Sequence, residues 1–232
     1  MRILSWIFGE RGPDPRHSEA DEIVARVPSG APPSGGWPVI VFLHGAGERT
    51  AAYAVRATLA ADHGFAGVAP TGPMGTSHAG RSWSGDLATT DGCVQVALTK
   101  YEGSHQVDRD RIYLCGFSLG ATHAVGLLLS RPERYRGALA LSPGAGPPIP
   151  AAVKSALGAR PLYVAYGEKE YRVFRKKAQR CAALWRRAKW PCLLESHPGS
   201  HHFPADWDSR FPRLVQWLET AARQTQKESR IS

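Results

Sequence analysis

Three observations in the sequence predict an α/β fold with a mostly parallel sheet flanked by helices on both faces. Short apolar runs alternate along the chain with segments whose apolar residues recur at three- and four-residue steps. Several runs, such as Val39-Ile40-Val41-Phe42-Leu43, are apolar without alternation, as strands covered on both faces are. Loops rich in Gly, Pro and Ser then follow the runs, and this order implies parallel βαβ units joined by right-handed crossovers.

The chain has 232 residues, 43% hydrophobic and 21% charged, an ordinary globular usage and enough length for one α/β domain. Residues 1–20 read as a flexible leader, 21–222 as a single domain and 223–232 as a polar tail. The apolar stretch in residues 1–9 ends at Gly9-Glu10-Arg11 with no Ala-x-Ala-like cleavage site and is too short to span a bilayer. Cys93, Cys115, Cys181 and Cys192 are scattered, with no C-x-x-C pair, and read as reduced, mostly buried thiols. A cytoplasmic protein with no membrane partner is the expectation. No oligomeric state is read from the sequence.

Element by element, residues 22–27 read as an edge strand, 28–38 as a turn-rich connection and 39–43 as a buried strand ending at His44-Gly45-Ala46-Gly47-Glu48-Arg49. Residues 50–63 read as a helix and 66–69 as the next strand. The long loop 70–86 carries Trp83, with two readings: a wall of a substrate pocket, or an anchor of the loop to the body. Asp91 is expected to cap a helix on which Val94, Ala97, Leu98 and Tyr101 share a face. Strands follow at 112–115, 137–141, 162–166 and 192–195, with a helix from Leu119 and a last helix bearing Phe211, Leu214, Val215 and Leu218 inward, Pro212 near its start. Residues 142–160, rich in Pro, Gly and Ala, offer the only room for a lid, and they are too few to build a helical cap domain.

Net charge is +9, with the excess concentrated after Arg160. Arg172, Arg175, Lys176, Lys177, Arg180, Arg186, Arg187 and Lys189 interleave with Phe174, Ala178, Cys181, Trp185 and Ala188, the pattern of a helix over 173–189 with a solvated basic face. Such a face attracts anionic substrates or, nonspecifically, nucleic acid. No nucleic-acid motif accompanies it, so no specific nucleic-acid partner is expected, and polyanion binding is the lesser alternative. The histidines lack H-x-x-x-H or Cys/His ligand spacing, so neither a metal nor another cofactor is expected.

Chemistry concentrates at the strand ends. Gly116-Phe117-Ser118-Leu119-Gly120 is G-x-S-x-G between a strand and a helix, a turn that lifts the serine hydroxyl out of the sheet and points free helix N–H groups toward an oxygen becoming negative beside it. A serine needs a base. Gly167-Glu168-Lys169-Glu170 follows the strand at 162–166, and His197-Pro198-Gly199-Ser200-His201-His202-Phe203 follows the strand at 192–195. Acid and base candidates therefore occur in the order Ser, acid, His, each where working residues of an open α/β sheet lie. Glycines 45 and 47 let the backbone near His44 approach a substrate carbonyl.

Together these segments, His-Gly-Ala-Gly-Glu-Arg (44–49), Asp-Arg-Ile-Tyr-Leu-Cys-Gly-Phe-Ser-Leu-Gly (110–120), Tyr-Gly-Glu-Lys-Glu (166–170) and Gly-Ser-His-His-Phe (199–203), resemble the α/β-hydrolase superfamily. The resemblance spans roughly residues 37–220 and is to its small lidless esterases: the carboxylesterase, dienelactone-hydrolase-like and prolyl-oligopeptidase-like groups. It implies a hydrolase fold without a cap domain and an acyl-enzyme mechanism on a small-molecule ester. In that family the acid stands three residues after the glycine closing its strand, usually as Asp; here the position is Glu170, with Glu168 in reserve. The family's histidine precedes an aromatic by two, which selects His201 before Phe203, ahead of His202 and then His197. The resemblance further implies Ser118 as nucleophile, backbone N–H groups of Ala46 and Leu119 as oxyanion donors, and His44, Trp83, Phe117 and Phe203 as pocket residues. A thioesterase or peptidase would use the same triad, and a non-catalytic ligand-binding relative is the alternative of a different class.

Overall fold

The computed structural model describes residues 23–76, 80–144, 146 and 160–229. The proposed leader, and the residues 147–159 of the expected lid region, lie outside the described residues. The chain divides into two compact units, 1–108 and 109–232, with the boundary inside one strand, β6 (Val107–Phe117).

In the first unit, β1 (Val24–Arg26), β2 (Trp37–Leu43) and β3 (Ala66–Ala69) stand in the order β1-β3-β2. β2 is buried at every residue and runs parallel to β3, with Val39 opposite Ala66; β1 pairs antiparallel to β3 at the edge. The unbroken apolar run of β2 is therefore that of a strand covered on both sides. Gly67 on β3 is required by a close approach, since a Cβ there would stand 2.5 Å from the Ala57 backbone of α1 (Ala54–Asp62). The expected helix over 50–63 opens as a 3₁₀ turn, Thr50–Tyr53, before α1, a common way for a helix to begin.

The loop at 70–86 contains a short antiparallel ladder, β4 (Met74–Gly75) with β5 (Arg81–Ser82). It leads into α2 (Leu87–Glu102), on which Val94, Ala97 and Leu98 are fully buried and Tyr101 nearly so, as the spacing predicts. The cap is a correction to the sequence reading. Asp86, in extended conformation, accepts hydrogen bonds from the N–H groups of Ala88 (3.1 Å) and Thr89 (3.0 Å), whereas Asp91 lies buried inside the helix. The cap stands five residues before the expected one because Ser84-Gly85-Asp86 already supplies the turn and the capping carboxylate.

In the second unit β6, β7 (Gly137–Leu141), β8 (Leu162–Gly167) and β9 (Cys192–His197) stand in sequence order and all pair in parallel. α3 (Leu119–Ser130) connects β6 to β7, α4 (Arg172–Arg187) connects β8 to β9, and α5 (Trp207–Ser229) follows β9. The basic helix is α4. Ala178, Cys181, Ala182 and Trp185 are fully buried along one stripe, and the Trp185 indole N–H donates to the Arg160 carbonyl at 2.7 Å. Phe174 and Ala188, expected in that stripe, are only half-buried. α5 buries Phe211, Leu214, Val215 and Leu218 as predicted and continues through the expected tail to Ser229. The second unit's strand pairs are thus all parallel, the first unit's sheet is parallel between β2 and β3 with β1 antiparallel at its edge, and the described residues form five α-helices.

None of the four cysteines is in a disulfide, and burial pushes the thiols of Cys181 and Cys192 up to about 12 and about 11. Among the described residues no helix is long and apolar enough to cross a membrane.

His44, His123 and His197 are buried, and burial holds each imidazole below its ordinary pKa, His123 down to about 4. An unfolded chain binds these protons once the pH drops below about 6.5, but the folded His123 does not until about 4. Stability present above pH 6.5 is therefore lost as the pH falls between those values. We expect urea midpoints to fall between pH 7 and pH 4.5, and His123→Gln to lose on the order of 2 kcal/mol less over that interval than the wild type. Equal pH dependence in the two proteins would contradict this account.

Candidate active site

The second unit brings Ser118, Glu170 and His201 together from the ends of β6, β8 and β9. β6 ends at Phe117 and α3 begins at Leu119, so one residue reverses the chain. Ser118 sits at φ 53° and ψ −115°, a conformation that costs a side-chain-bearing residue about 1–3 kcal/mol. It is held there on both sides. Its N–H donates to the Leu141 carbonyl at 2.9 Å, and its carbonyl accepts from the Thr122 N–H and hydroxyl, each at 3.1 Å. A Cβ on Gly116 would stand 2.4 Å from the Gly120 carbonyl oxygen, so the glycine is a steric requirement of the turn. The Leu119 N–H is among those at the start of α3 with no acceptor inside the helix.

His201 lies in the loop after β9, with its Nε2 2.9 Å from Ser118 Oγ and its Nδ1 3.1 Å from Glu170 Oε1. The consistent proton assignment has the hydroxyl donating to Nε2 and Nδ1–H donating to the carboxylate. Phe117 packs on the imidazole with ring centres 4.9 Å apart and Phe174 with centres 5.0 Å apart. Phe203 stacks behind Phe117 at 5.5 Å and edges onto Trp207 at 5.3 Å. The ring is thus fixed in orientation by hydrogen bonds at both nitrogens and by aromatic contacts, while about a third of its side chain stays open to solvent.

Glu170 is completely buried as a side chain. Its Oε1 accepts two hydrogen bonds, from His201 and from a close Ser142 hydroxyl, while Oε2 has no partner among the described residues. Burial alone would raise the carboxyl, but the bonds from His201 and Ser142 outweigh it and hold the group below the usual carboxylate range. Ser142 was not anticipated from the sequence. It follows β7 directly, in the left-handed region at φ 53°, and its position at the end of a parallel strand is the one signal that marks it. Phe174 was assigned to the buried stripe of α4 because its spacing fits; it covers the histidine instead.

The other candidates are engaged elsewhere. Glu168 is exposed and accepts from the Ser196 hydroxyl at 2.7 Å. His202 turns away, its Nδ1 donating to the Phe203 carbonyl at 2.6 Å and its Nε2 accepting from the Ser200 N–H at 3.2 Å. His197 ends β9, buried, and its Nδ1 accepts from the Gly199 N–H at 3.2 Å.

In the first unit His44 is 1% exposed, with Nδ1 donating to the Gly45 carbonyl (2.8 Å) and Nε2 accepting from the Gly72 N–H (2.9 Å). Trp83 is 1% exposed, donates to the His44 carbonyl at 2.8 Å and packs on its ring. Both side chains are consumed in bracing the loop, so the anchoring reading of Trp83 is the one the structure builds, and His44 is corrected from pocket lining to loop support. The same loop is pinned by Glu48, which accepts from the Gly45 N–H and the Tyr53 hydroxyl, each at 2.6 Å. Gly47, at φ 81°, donates to the Arg81 carbonyl at 2.8 Å. Between them the Ala46 N–H makes no hydrogen bond among the described residues. Among the described residues no group of three His, Cys, Asp or Glu could hold a metal ion.

A model of the alpha/beta hydrolase family matches residues 40–227. No curated protein matches the sequence. Solved structures with a similar fold include the Bacillus cereus carboxylesterase, at 18% identity over 86% of this chain and 94% of that one, with a TM-score of 0.62. Esterase PE8 is 18% identical over 84% of this chain and 97% of its own, with a TM-score of 0.64. The fluorophosphonate-binding serine hydrolase F of Staphylococcus aureus is 15% identical over 84% and 91%, with a TM-score of 0.61.

Gly167 ties the acid to the base, because a Cβ there would stand 2.2 Å from the Ser200 carbonyl in the loop that carries His201. Gly167→Ala is expected to shift that loop and weaken the imidazole contacts at Ser118 and Glu170. The measurement is the Nδ1 proton resonance of His201, which should broaden or move in the variant; an unchanged resonance would mean that the loop absorbs the methyl group without moving the ring.

Proposed function

Because the chain belongs to the alpha/beta hydrolase family, we propose that it is a serine esterase that cleaves carboxylic esters of small or exposed acyl substrates through an acyl-enzyme. The observation that carries this reading is the unbroken hydrogen-bonded line from the Ser118 hydroxyl through both nitrogens of His201 to the buried Glu170.

The chemistry follows from that line. Ser118 Oγ attacks the acyl carbonyl carbon while His201 Nε2 takes its proton. Glu170, ionised at neutral pH because its pKa is lowered, accepts from Nδ1–H, fixes the tautomer and supports the imidazolium that forms. The carbonyl oxygen becomes an oxyanion, and the reading assigns the Leu119 N–H, at the start of α3, to receive it. Ala46, whose N–H is unused in its own loop, is proposed as the second donor. His201 returns the proton to the leaving alcohol. Water then attacks the acyl-enzyme by the same route in reverse, releasing the acid and the free serine. The long glutamate replaces the family's usual aspartate, and the reading assigns Ser142 the task of holding its carboxylate at the distance the histidine needs.

Wild type should be labelled stoichiometrically by a fluorophosphonate probe and should hydrolyse p-nitrophenyl acetate, with Ser118→Ala unlabelled and slower by about 10⁴-fold or more. Glu170→Gln is expected to lower kcat about 10³–10⁴-fold, while Glu168→Gln stays within about twofold of wild type. An unlabelled wild type whose turnover equals that of the alanine variant would sink the esterase reading, and the reverse ranking of the two glutamates would sink the assignment of the acid.

A further inference from the structure

The first turn of α4 lies against the base and is unusual in composition. Tyr171 is 79% exposed and Val173 52% exposed, beside the half-buried Phe174 that covers one face of His201. Large apolar side chains left open beside a reactive centre mark a surface that something covers. After Glu168 and Glu170 of the preceding loop, the charged residues of this turn are all cations, Arg172, Arg175, Lys176 and Lys177, with no acidic residue anywhere on α4. Positive side chains at a helix N-terminus oppose the helix dipole, so local helix stability gives no reason for them.

Lys177 is linked to His201 through the Phe174 ring. Its Nζ stands 5.6 Å from the centre of the Phe174 ring, which is itself 5.0 Å from the centre of the His201 ring. In series these contacts keep the ammonium within about 11 Å of the imidazole, roughly one Debye length at 0.1 M salt. Among the described residues Lys177 has no carboxylate partner, and Glu168, on the loop before the helix, is taken by Ser196. Its charge is therefore free to meet a ligand.

On the esterase reading, His201 hands its proton to the departing alcohol, so groups flanking the imidazole face the leaving-group side of the substrate. We propose that Phe174 and Lys177 form a leaving-group subsite that selects esters whose alcohol portion is a flat or apolar body ending in a carboxylate. The body lies on the exposed aromatic surface of Phe174 and Tyr171, and the carboxylate pairs with the Lys177 ammonium. Lys176 and Arg172 add to the local positive field without a defined contact. The inference rests on the esterase reading and adds to it the chemical class of the alcohol.

The test compares kcat/KM for 4-acetoxybenzoate with that for its neutral counterpart 4-acetoxybenzamide, at 10 mM and 500 mM NaCl. Wild type should favour the anionic ester by about tenfold at low salt, a preference that shrinks at high salt as exposed charges are screened. Lys177→Gln should lower the ratio about fivefold, through KM, the size expected of one half-exposed ion pair. Arg187→Gln, at the far end of the same helix, should leave the ratio as in wild type. Phe174→Leu should weaken both esters through KM.

If both esters are hydrolysed at equal kcat/KM, or if Lys177→Gln and Arg187→Gln lower the ratio alike, the subsite is wrong while the esterase reading stands. A preference confined to an acyl-side anion, read with mono-4-nitrophenyl succinate against 4-nitrophenyl butyrate, also overturns it. If neither ester is turned over above the Ser118→Ala background, the esterase reading itself fails and the subsite with it.

Discussion

One strained residue organises the second unit. Ser118 occupies a backbone region that disfavours any side chain, at a cost of about 1–3 kcal/mol, and nothing in its own chemistry holds it there. The restraint comes from neighbours: the Leu141 carbonyl on one side, Thr122 on the other, and two glycines that leave room for the turn. The Leu141 bond comes from the end of β7, so the parallel register of β6 with β7 sets where the hydroxyl stands. Thr122 in turn accepts from the Gly144 N–H at 2.8 Å, which carries the same restraint into the segment after β7. The Ser118 hydroxyl is thus positioned by the sheet rather than by its loop.

The same sheet delivers its partners. β7 ends at Ser142, β8 at the Glu170 loop and β9 at the His201 loop, and parallel pairing puts all three endings on one edge. Close backbone approach then replaces side-chain bulk as the way these loops meet. Lys169 donates to the Gly199 carbonyl at 2.9 Å and Glu168 to the His197 carbonyl at 2.8 Å, contacts that Gly167 permits. The loops of Glu170 and His201 are joined by main chain before their side chains touch, so the geometry between Ser118, His201 and Glu170 depends little on flexible rotamers.

Local pattern carried the strands, the helices and the elbow, because apolar periodicity and turn residues act within a few positions of themselves. The apolar runs 39–43, 112–115, 137–141 and 162–166 were legible for that reason; Ser118 stood out by its turn, and the family resemblance selected Glu170 and His201 within loops that each held more than one candidate. Ser142 and Phe174 were not. Each owes its place to a partner about thirty residues away, Glu170 and His201 respectively, and neither has a neighbour in sequence that announces the contact. Asp91 misled because two aspartates five apart both stood near a helix start, and only the turn before Leu87 decides between them. Trp83 and His44 look like pocket residues by type and loop position, but the Trp83 indole N–H goes to the His44 carbonyl and both His44 nitrogens are bonded within the first unit.

Ser142 and His201 draw on the same oxygen of Glu170, and the second oxygen is left without a donor among the described residues. That asymmetry makes the side chains at 142 and 170 mutually dependent. An aspartate at 170 is one methylene too short to serve both donors from the same backbone, and an alanine at 142 leaves a buried carboxylate with a single bond. The length of the glutamate at 170 and the hydroxyl at 142 therefore form one structural unit, in which neither can change without altering what the other holds.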